Sequence, residues 1–320
     1  MANQPRKHHF IPQFYLAGFT ASDRKDGVLY VLDKEQHIRW KSTPKGSAHK
    51  RDFHAVDLGQ DEDAMVVEKG LAEMEGRWSE MLRSVIATAT VPQDEAFKDL
   101  MLFIAFMFAR VPQIRKTLSA FTAGLLGDLN ALMLSSPQGL ARFRRQIEDN
   151  KNRALSDGEF DKIVAAGLEG HFEFDFEQTW YVEQMLWMSE KLAPILAKRK
   201  WQIWKVASDA PDLICSDRPV APTWLQEQSV PLSPSFGTPN TIVSIPMNRR
   251  LVIVSLLEEE IGPITLDRNG VAAVNSMTAL YANQLYSSGE NFVWLTNDGH
   301  VKEADELLVA LRVQDTPSTS

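Results

Sequence analysis

The run LMLFIAFMF, from Leu100 to Phe108, has no polar side of any width when wound as a helix. A helix that is apolar on nearly every face belongs at the buried centre of a bundle, so the rest of the chain must be built to cover it. The apolar stretch continues only to Ile114 and is interrupted by Arg110, which makes it too short to cross a bilayer. The covering material is present. DEDAMVVEKGLAEMEGRWSEMLRSVIA places Val67, Leu71, Met74, Trp78 and Val85 at helical spacing, with acids where the helix dipole favours them. DEAFKDLMLFIAFMFARVPQIRKTLSAFTAGLL reads as a single helix. SPQGLARFRRQIEDN and SDGEFDKIVAAGLEG read as two shorter helices, each with a serine at the N-cap position. DFEQTWYVEQMLWMSEKLAPILAKRK reads as a further long helix kinked at Pro194.

On either side the pattern changes to strands. VLYVLDKEQHIRWKST alternates about a polar turn at Asp33 to Gln36, as a β-hairpin does, and KRDFHAVDL follows as an extended piece. After residue 200 come WQIWKVAS, DLICSDRPV, TIVSIPM, LVIVSLL and FVWLT, short β-type runs separated by Pro, Asn and Gly, with NGVAAVNSMTALYANQLYSS as a helix among them. Helices and strands are segregated, so the expected fold class is α+β, with a mixed or antiparallel C-terminal sheet. We expect one domain over residues 1–312, with a helical subdomain over about 61–200 and a disordered tail over 313–320. The N-terminal hairpin is expected to join or cover the C-terminal sheet.

The net charge of −8 argues against non-specific coating of DNA, which needs a cationic surface, but leaves room for a local cationic cleft. The only cysteine, Cys215, rules out an internal disulfide and any cysteine-rich zinc site, and its apolar setting reads as core. MANQPRKHHF carries no signal-peptide pattern. A cytoplasmic protein with no membrane partner is expected, and the oligomeric state is left open.

Several polar residues stand out. His8 and His9 precede Pro12 in KHHFIPQFYLAGFT; neighbours in an extended strand point to opposite faces, while Phe14, Tyr15, Leu16 and Phe19 anchor the segment. One or both histidines could bind a metal or an anion, or one could be a buried hydrogen-bonding residue. Asp52 and His54 are two apart and share a face of an extended chain. With His8 or His9 they would make a mixed nitrogen and oxygen ligand set suited to zinc, manganese or iron. Glu68 and Glu75 lie two helical turns apart, and Glu75 falls on the apolar stripe, where it needs a cation. Arg110 is the candidate partner, as an architectural ion pair or as part of a catalytic site. LICSDRPV delivers Ser216, Asp217 and Arg218 to a sheet edge, as site residues or as a turn that satisfies its own backbone. Ser216 lacks a glycine elbow, which argues against a serine hydrolase.

HHFIPQFYLAGF, DFH, EKGLAEME, ARVP, CSDRPV, IVSIPMNRRLVIV and VNSMTALYANQLYSS occur in that order. The chain therefore resembles the domain of unknown function 4238 family, whose members open on HH-x-x-PQ-x-x-L-x-x-F and carry a later Ser-Asp-x-Pro; the resemblance runs from Lys7 to about Ser288. His54 stands where the family commonly has an aromatic residue. The resemblance implies that His8, His9, Asp52, Glu75, Arg110, Ser216, Asp217 and Asn275 belong to family motifs, and we expect them to converge on one pocket. HHFIP also looks like the first strand of an HNH nuclease, but the first long helix carries no histidine or asparagine ligand. The expected function is a metal-dependent hydrolase of a phosphodiester, nucleotide or nucleic acid. In it His9, Asp52 and Asp217 would hold a divalent ion such as zinc or manganese, Arg110, Arg218 and Asn275 would contact the anionic substrate, and His8 or a carboxylate would act as base. The alternatives are a non-enzymatic binding protein with a rigid polar network and a toxin or defence component.

Overall fold

A computed structural model describes residues 7–51, 53, 65–226, 233–258 and 262–314. The chain begins with β1 (Lys7–His9), α1 (Gln13–Ala17), β2 (Leu29–Asp33), β3 (Ile38–Ser42) and β4 (His49–Arg51). The helical middle comprises α2 (Met65–Thr88), α3 (Asp94–Ala109), α4 (Pro112–Leu134), α5 (Pro137–Lys151), α6 (Asp157–Leu168) and α7 (Gln178–Ala197). The C-terminal part runs β5 (Lys200–Val206), β6 (Cys215–Ser216), β7 (Pro222–Trp224), β8 (Thr241–Asn248), β9 (Leu251–Leu256), β10 (Thr265–Leu266), α8 (Arg268–Leu280), β11 (Gln284–Ser287), β12 (Val293–Leu295), β13 (Val301–Glu303) and α9 (Ala304–Gln314). This is the α+β class.

α3 is the central helix. Leu100, Phe103, Ile104 and Phe106 are fully buried, and Trp78 of α2 packs on both phenylalanine rings. α7 covers its other side and α1 brings Tyr15 and Phe19 into the same core. Each such side chain contributes about 1.5–3 kcal/mol through burial. The single long helix expected across residues 94–126 is in fact two. Val111 precedes Pro112, whose ring disfavours helical backbone in the residue before it, and Val111 is extended at φ −80, ψ 146. Pro194, in contrast, sits inside a continuous α7. Ser136 and Ser156 cap α5 and α6, the latter in a full capping box with Glu159.

The strands form two larger sheets. β10-β5-β9-β8-β7 is one, antiparallel except for β10 beside β5. The other, β3-β2-β11-β6, is made by the N-terminal hairpin joining two C-terminal strands. β11 lies in the YANQLYSS stretch expected to continue a helix; α8 stops at Leu280 and the chain turns to pair Leu285 with Leu32. α9 also reaches Gln314, two residues into the tail expected to be disordered; residues 315–320 lie outside the described part.

Arg199, 3% exposed, stitches the helical middle to the five-stranded sheet. It donates from Nε to Ser255 Oγ (2.9 Å), from Nη1 to Phe236 O (2.8 Å) and Thr241 Oγ1 (3.2 Å), and from Nη2 to Thr241 O (2.7 Å) and Ser255 O (3.0 Å). No carboxylate faces it among the described residues, and burial lowers its pKa to about 10.

Candidate functional site

β1 and β4 pair antiparallel, with His8 opposite Lys50 and His9 opposite His49. The two histidines therefore face opposite ways, as strand alternation requires. His9 turns inward. Its Nε2–H donates to Lys45 O (3.2 Å) and its Nδ1 accepts from Gln13 Nε2 (3.3 Å), partners that assign the neutral tautomer. Burial lowers its pKa, against the Lys45 hydrogen bond and the Glu75 charge, which raise it. Behind it, Arg110 Nη2 donates to the His9 carbonyl and Nη1 to Glu75 Oε1 at 2.9 Å, with the guanidinium 4.8 Å from the Phe106 ring centroid. Arg110 is 4% exposed, and its Nε–H is buried without a partner among the described residues. Burial lowers its pKa and Glu75 opposes that shift.

The second group is built on the SDR triplet. Asp217 Oδ2 accepts from Gln113 Nε2 (2.8 Å), Oδ1 accepts from Asn283 N (3.0 Å), and its own N–H donates to Gln284 O. Desolvation raises the Asp217 pKa against those hydrogen bonds. Ser216 is fully buried and its Oγ accepts from Arg218 N (3.3 Å), the turn arrangement; Arg218 lies over the Tyr281 ring at 5.3 Å. Asn275 is apart from both groups. It is wholly buried, accepts from Ile214 N (3.0 Å) and donates to Val293 O (2.9 Å), so it clamps backbone and presents nothing to a cleft.

The polar set thus does not gather into one pocket among the described residues. His9, Glu75 and Arg110 form one cluster, Ser216, Asp217 and Arg218 another, and the α3–α4 corner joins them, with Arg110 serving the first and Gln113 the second. The expected metal ligands fare similarly. Asp52 and His54 lie outside the described residues, as does the side chain of Glu68. Both ring nitrogens of His9 and both carboxylate oxygens of Asp217 are engaged, and no group of three His, Cys, Asp or Glu side chains able to hold a metal occurs among the described residues.

A site that the sequence reading missed opens on the other side of the corner. The first turn of α4 projects Arg115 and Lys116, β4 brings Lys50 and Arg51, and the first turn of α7 brings Tyr181. Together with Phe53 these line a groove of about 450 Å³. Arg115 lies 3.6 Å from the Tyr181 ring centroid and 5.2 Å from that of Phe53, and Gln178 Nε2 fixes Phe53 by donating to its carbonyl. Lys50, Arg115 and Lys116 have no carboxylate partner among the described residues. Deeper in, Ile114, Leu118, Val182, Met185 and Met188 enclose a slot of about 20 Å³, room for one water, with Arg110 on its wall. Only KR at residues 50–51 and RK at 115–116 hinted at this groove, and nothing in one dimension says that the two pairs meet.

No curated protein and no solved structure matches the chain. The family described as protein of unknown function (DUF4238) matches residues 7–288, and the chain belongs to that family.

Proposed function

We propose that the chain binds a phosphate-bearing ligand, a nucleotide or a single-stranded nucleic acid, in the groove between β4, α4 and α7. The observation that carries this is Arg115 stacked at 3.6 Å on Tyr181 in a groove also lined by Lys50 and Lys116, neither of which has a carboxylate partner among the described residues, in a chain of net charge −8. Stacking on an aromatic ring leaves the guanidinium edge free to donate to phosphate oxygens in pairs. Phe53 and Tyr181 are half-buried aromatic rings on the groove wall beside Arg115, a setting that suits a base, and the lysines suit the phosphates on either side.

Fluorescence anisotropy with a labelled oligothymidylate, competed by ATP, tests this reading. Tyr181→Ala is expected to weaken binding roughly tenfold or more, in line with ~1–3 kcal/mol per stacked base. Lys116→Ala is expected to reduce the slope of log K against log salt by about 0.7, one phosphate contact on a single strand. No binding by the wild type at low salt, or unchanged binding by both variants, sinks the reading. Hydrolysis of the bound ester is a second reading, favoured by the register that sets His8 opposite Lys50, a groove residue. It requires the oligonucleotide to be cleaved, with or without added manganese or zinc, by the wild type and not by His8→Ala.

A further inference from the structure

We propose that a cavity on the α9 side of the four-stranded sheet is a second ligand site, which takes a small monocarboxylate with an apolar body and holds its carboxylate between Arg39 and Lys41. Strand register sets the face. Tyr30 stands between Lys41 and Ser287, and Leu32 between Arg39 and Leu285, so all six share one face of the sheet. Phe292 and Leu307, from the chain beyond β11, cluster with Leu32 and Leu285. Beside that cover a cavity of about 170 Å³ remains, lined by Tyr30, Leu32, Arg39, Lys41, Ser287 and Phe292. It is close in size to the ~150 Å³ apolar cavity that takes up benzene in another protein. It shares no residue with the groove between β4, α4 and α7.

Arg39 supplies the recognition. Nε and Nη2 of a guanidinium lie side by side, and twice in this chain that pair grips both oxygens of one carboxylate. Arg24 holds Asp26 so, at 2.9 Å from each nitrogen, and Arg249 holds Asp23 at 3.3 and 3.2 Å. In Arg39 the same two nitrogens are buried and have no partner among the described residues. Its Nη1 donates to Asp305, an acid whose side chain is 81% exposed. Such an exposed pair is weak, so the guanidinium can turn its two free donors to an anion in the cavity it lines, and the cost of leaving them unpaired favours that turn.

Lys41 lies 5.3 Å from the Tyr30 ring centroid, has no carboxylate partner among the described residues, and adds a second positive charge. Glu290, on the β11 side of the same cavity, is exposed and has no cation partner among the described residues. Its charge works against a second negative charge on the ligand, while Leu32, Phe292 and the Tyr30 ring offer apolar surface to the ligand's body. The chemistry selected is one carboxylate on an apolar body rather than a phosphate.

Isothermal titration calorimetry on the full chain tests the proposal, with benzoate as the probe, benzyl alcohol as its neutral counterpart and inorganic phosphate as the competing anion. Benzoate is expected to bind one to one at millimolar concentration, and benzyl alcohol and phosphate about tenfold more weakly or worse. Arg39→Lys keeps the charge but not the paired donors and should weaken benzoate about tenfold or more. Lys41→Gln, at an exposed strand position, should weaken it severalfold, and gives a result that does not depend on how Arg39→Lys folds. Thermal melting checks both variants. Tyr181→Ala, which alters the phosphate groove, should leave benzoate affinity unchanged. The absence of saturable benzoate binding, phosphate bound as tightly as benzoate, or wild-type affinity in either the Arg39 or the Lys41 variant overturns the proposal. So does loss of benzoate binding in Tyr181→Ala, which would place the anion in the groove.

Discussion

Replacing Glu75 by Gln removes the only carboxylate among the described residues that faces the buried Arg110 guanidinium, while keeping an oxygen in place to accept its hydrogen bond. A buried ion pair broken from one side costs roughly 3–5 kcal/mol because the remaining charge stays desolvated. Glu75 is one-third exposed and Arg110 almost wholly buried, so the cation bears the larger loss. Arg199 shows what a buried arginine without a carboxylate needs in this fold, namely five hydrogen bonds to neutral acceptors. Arg110 has one, to the His9 carbonyl, beside its bond to the Glu75 carboxylate, and its Nε–H has no partner among the described residues. We therefore expect Glu75→Gln to cost about 3 kcal/mol, the low end of that range because the amide oxygen still accepts. Arg110→Met relieves the buried charge but strands the His9 carbonyl, at about 1–3 kcal/mol, and sends a half-hydrated carboxylate back toward water. The double variant should cost less than the two losses added, by a coupling of about 1–3 kcal/mol. Urea unfolding followed by tryptophan fluorescence measures all four proteins, with Trp78 packed one helical turn from Glu75 as a reporter. Losses that add to within about 0.5 kcal/mol would show that the pair is not coupled and that the reasoning is wrong.

Two further outcomes follow from residues already described. Arg199→Leu leaves Thr241 O, Ser255 O and Phe236 O without their donor, each worth about 1–3 kcal/mol if left buried and unpaired; the variant should be recovered unfolded or with a sharply lower melting temperature, and a melting temperature like that of the wild type counts against the stitch. The raised pKa of Asp217 means that the folded state holds more protons than the unfolded state between the ordinary value of 3.8 and its shifted value, so this group's contribution to stability falls as pH rises through that window. Asp217→Asn should remove that part of the slope in a pH series of urea midpoints, helped by Gln113 Oε1, which has no partner among the described residues and which an amide rotation can present to the new Nδ2; an unchanged slope refutes the assignment.

What could be read in one dimension was what a few residues enforce locally. Leu100 to Phe108 demand burial, Ser136 and Ser156 start helices, and the Asp33 to Gln36 turn makes a hairpin. The Glu75–Arg110 pair was legible for the same reason, an acid on an apolar stripe and a cation at the end of an apolar helix. Pro112 carried a break that helical periodicity on both sides concealed. β11 was hidden because QLYS is amphipathic enough to extend α8, and only its partner Leu32, far away in sequence, decides the matter. The groove was least legible of all. Arg115 and Lys116 looked like an ordinary helix surface, Tyr181 like part of an amphipathic stripe, and their value comes from a fold that sets the starts of α4 and α7 beside β4. The same fold ties His9 and Glu75 to Arg110 and Asp217 to Gln113, two separate groups that meet only through the α3–α4 corner, which order along the chain did not show.

The pairing of β2 with β11 also sets an order of events for a chain being made from its N-terminus. Leu32 and Leu285 are neighbours in the four-stranded sheet, yet everything from α2 to α8 must be synthesised between them. α2, α3 and α7 can pack on one another from contacts within the middle of the chain, while the N-terminal hairpin keeps one strand edge unpaired until β11 (Gln284–Ser287) emerges. Contacts that span most of a chain close slowly, and an open edge is a template for pairing with another molecule. The hairpin's outer strand has alternating cations, Arg39 and Lys41, of the kind that discourage such pairing. Its inner strand, LYVLD, has no cation of its own, so the interval before β11 arrives is when this chain is most exposed to misassembly.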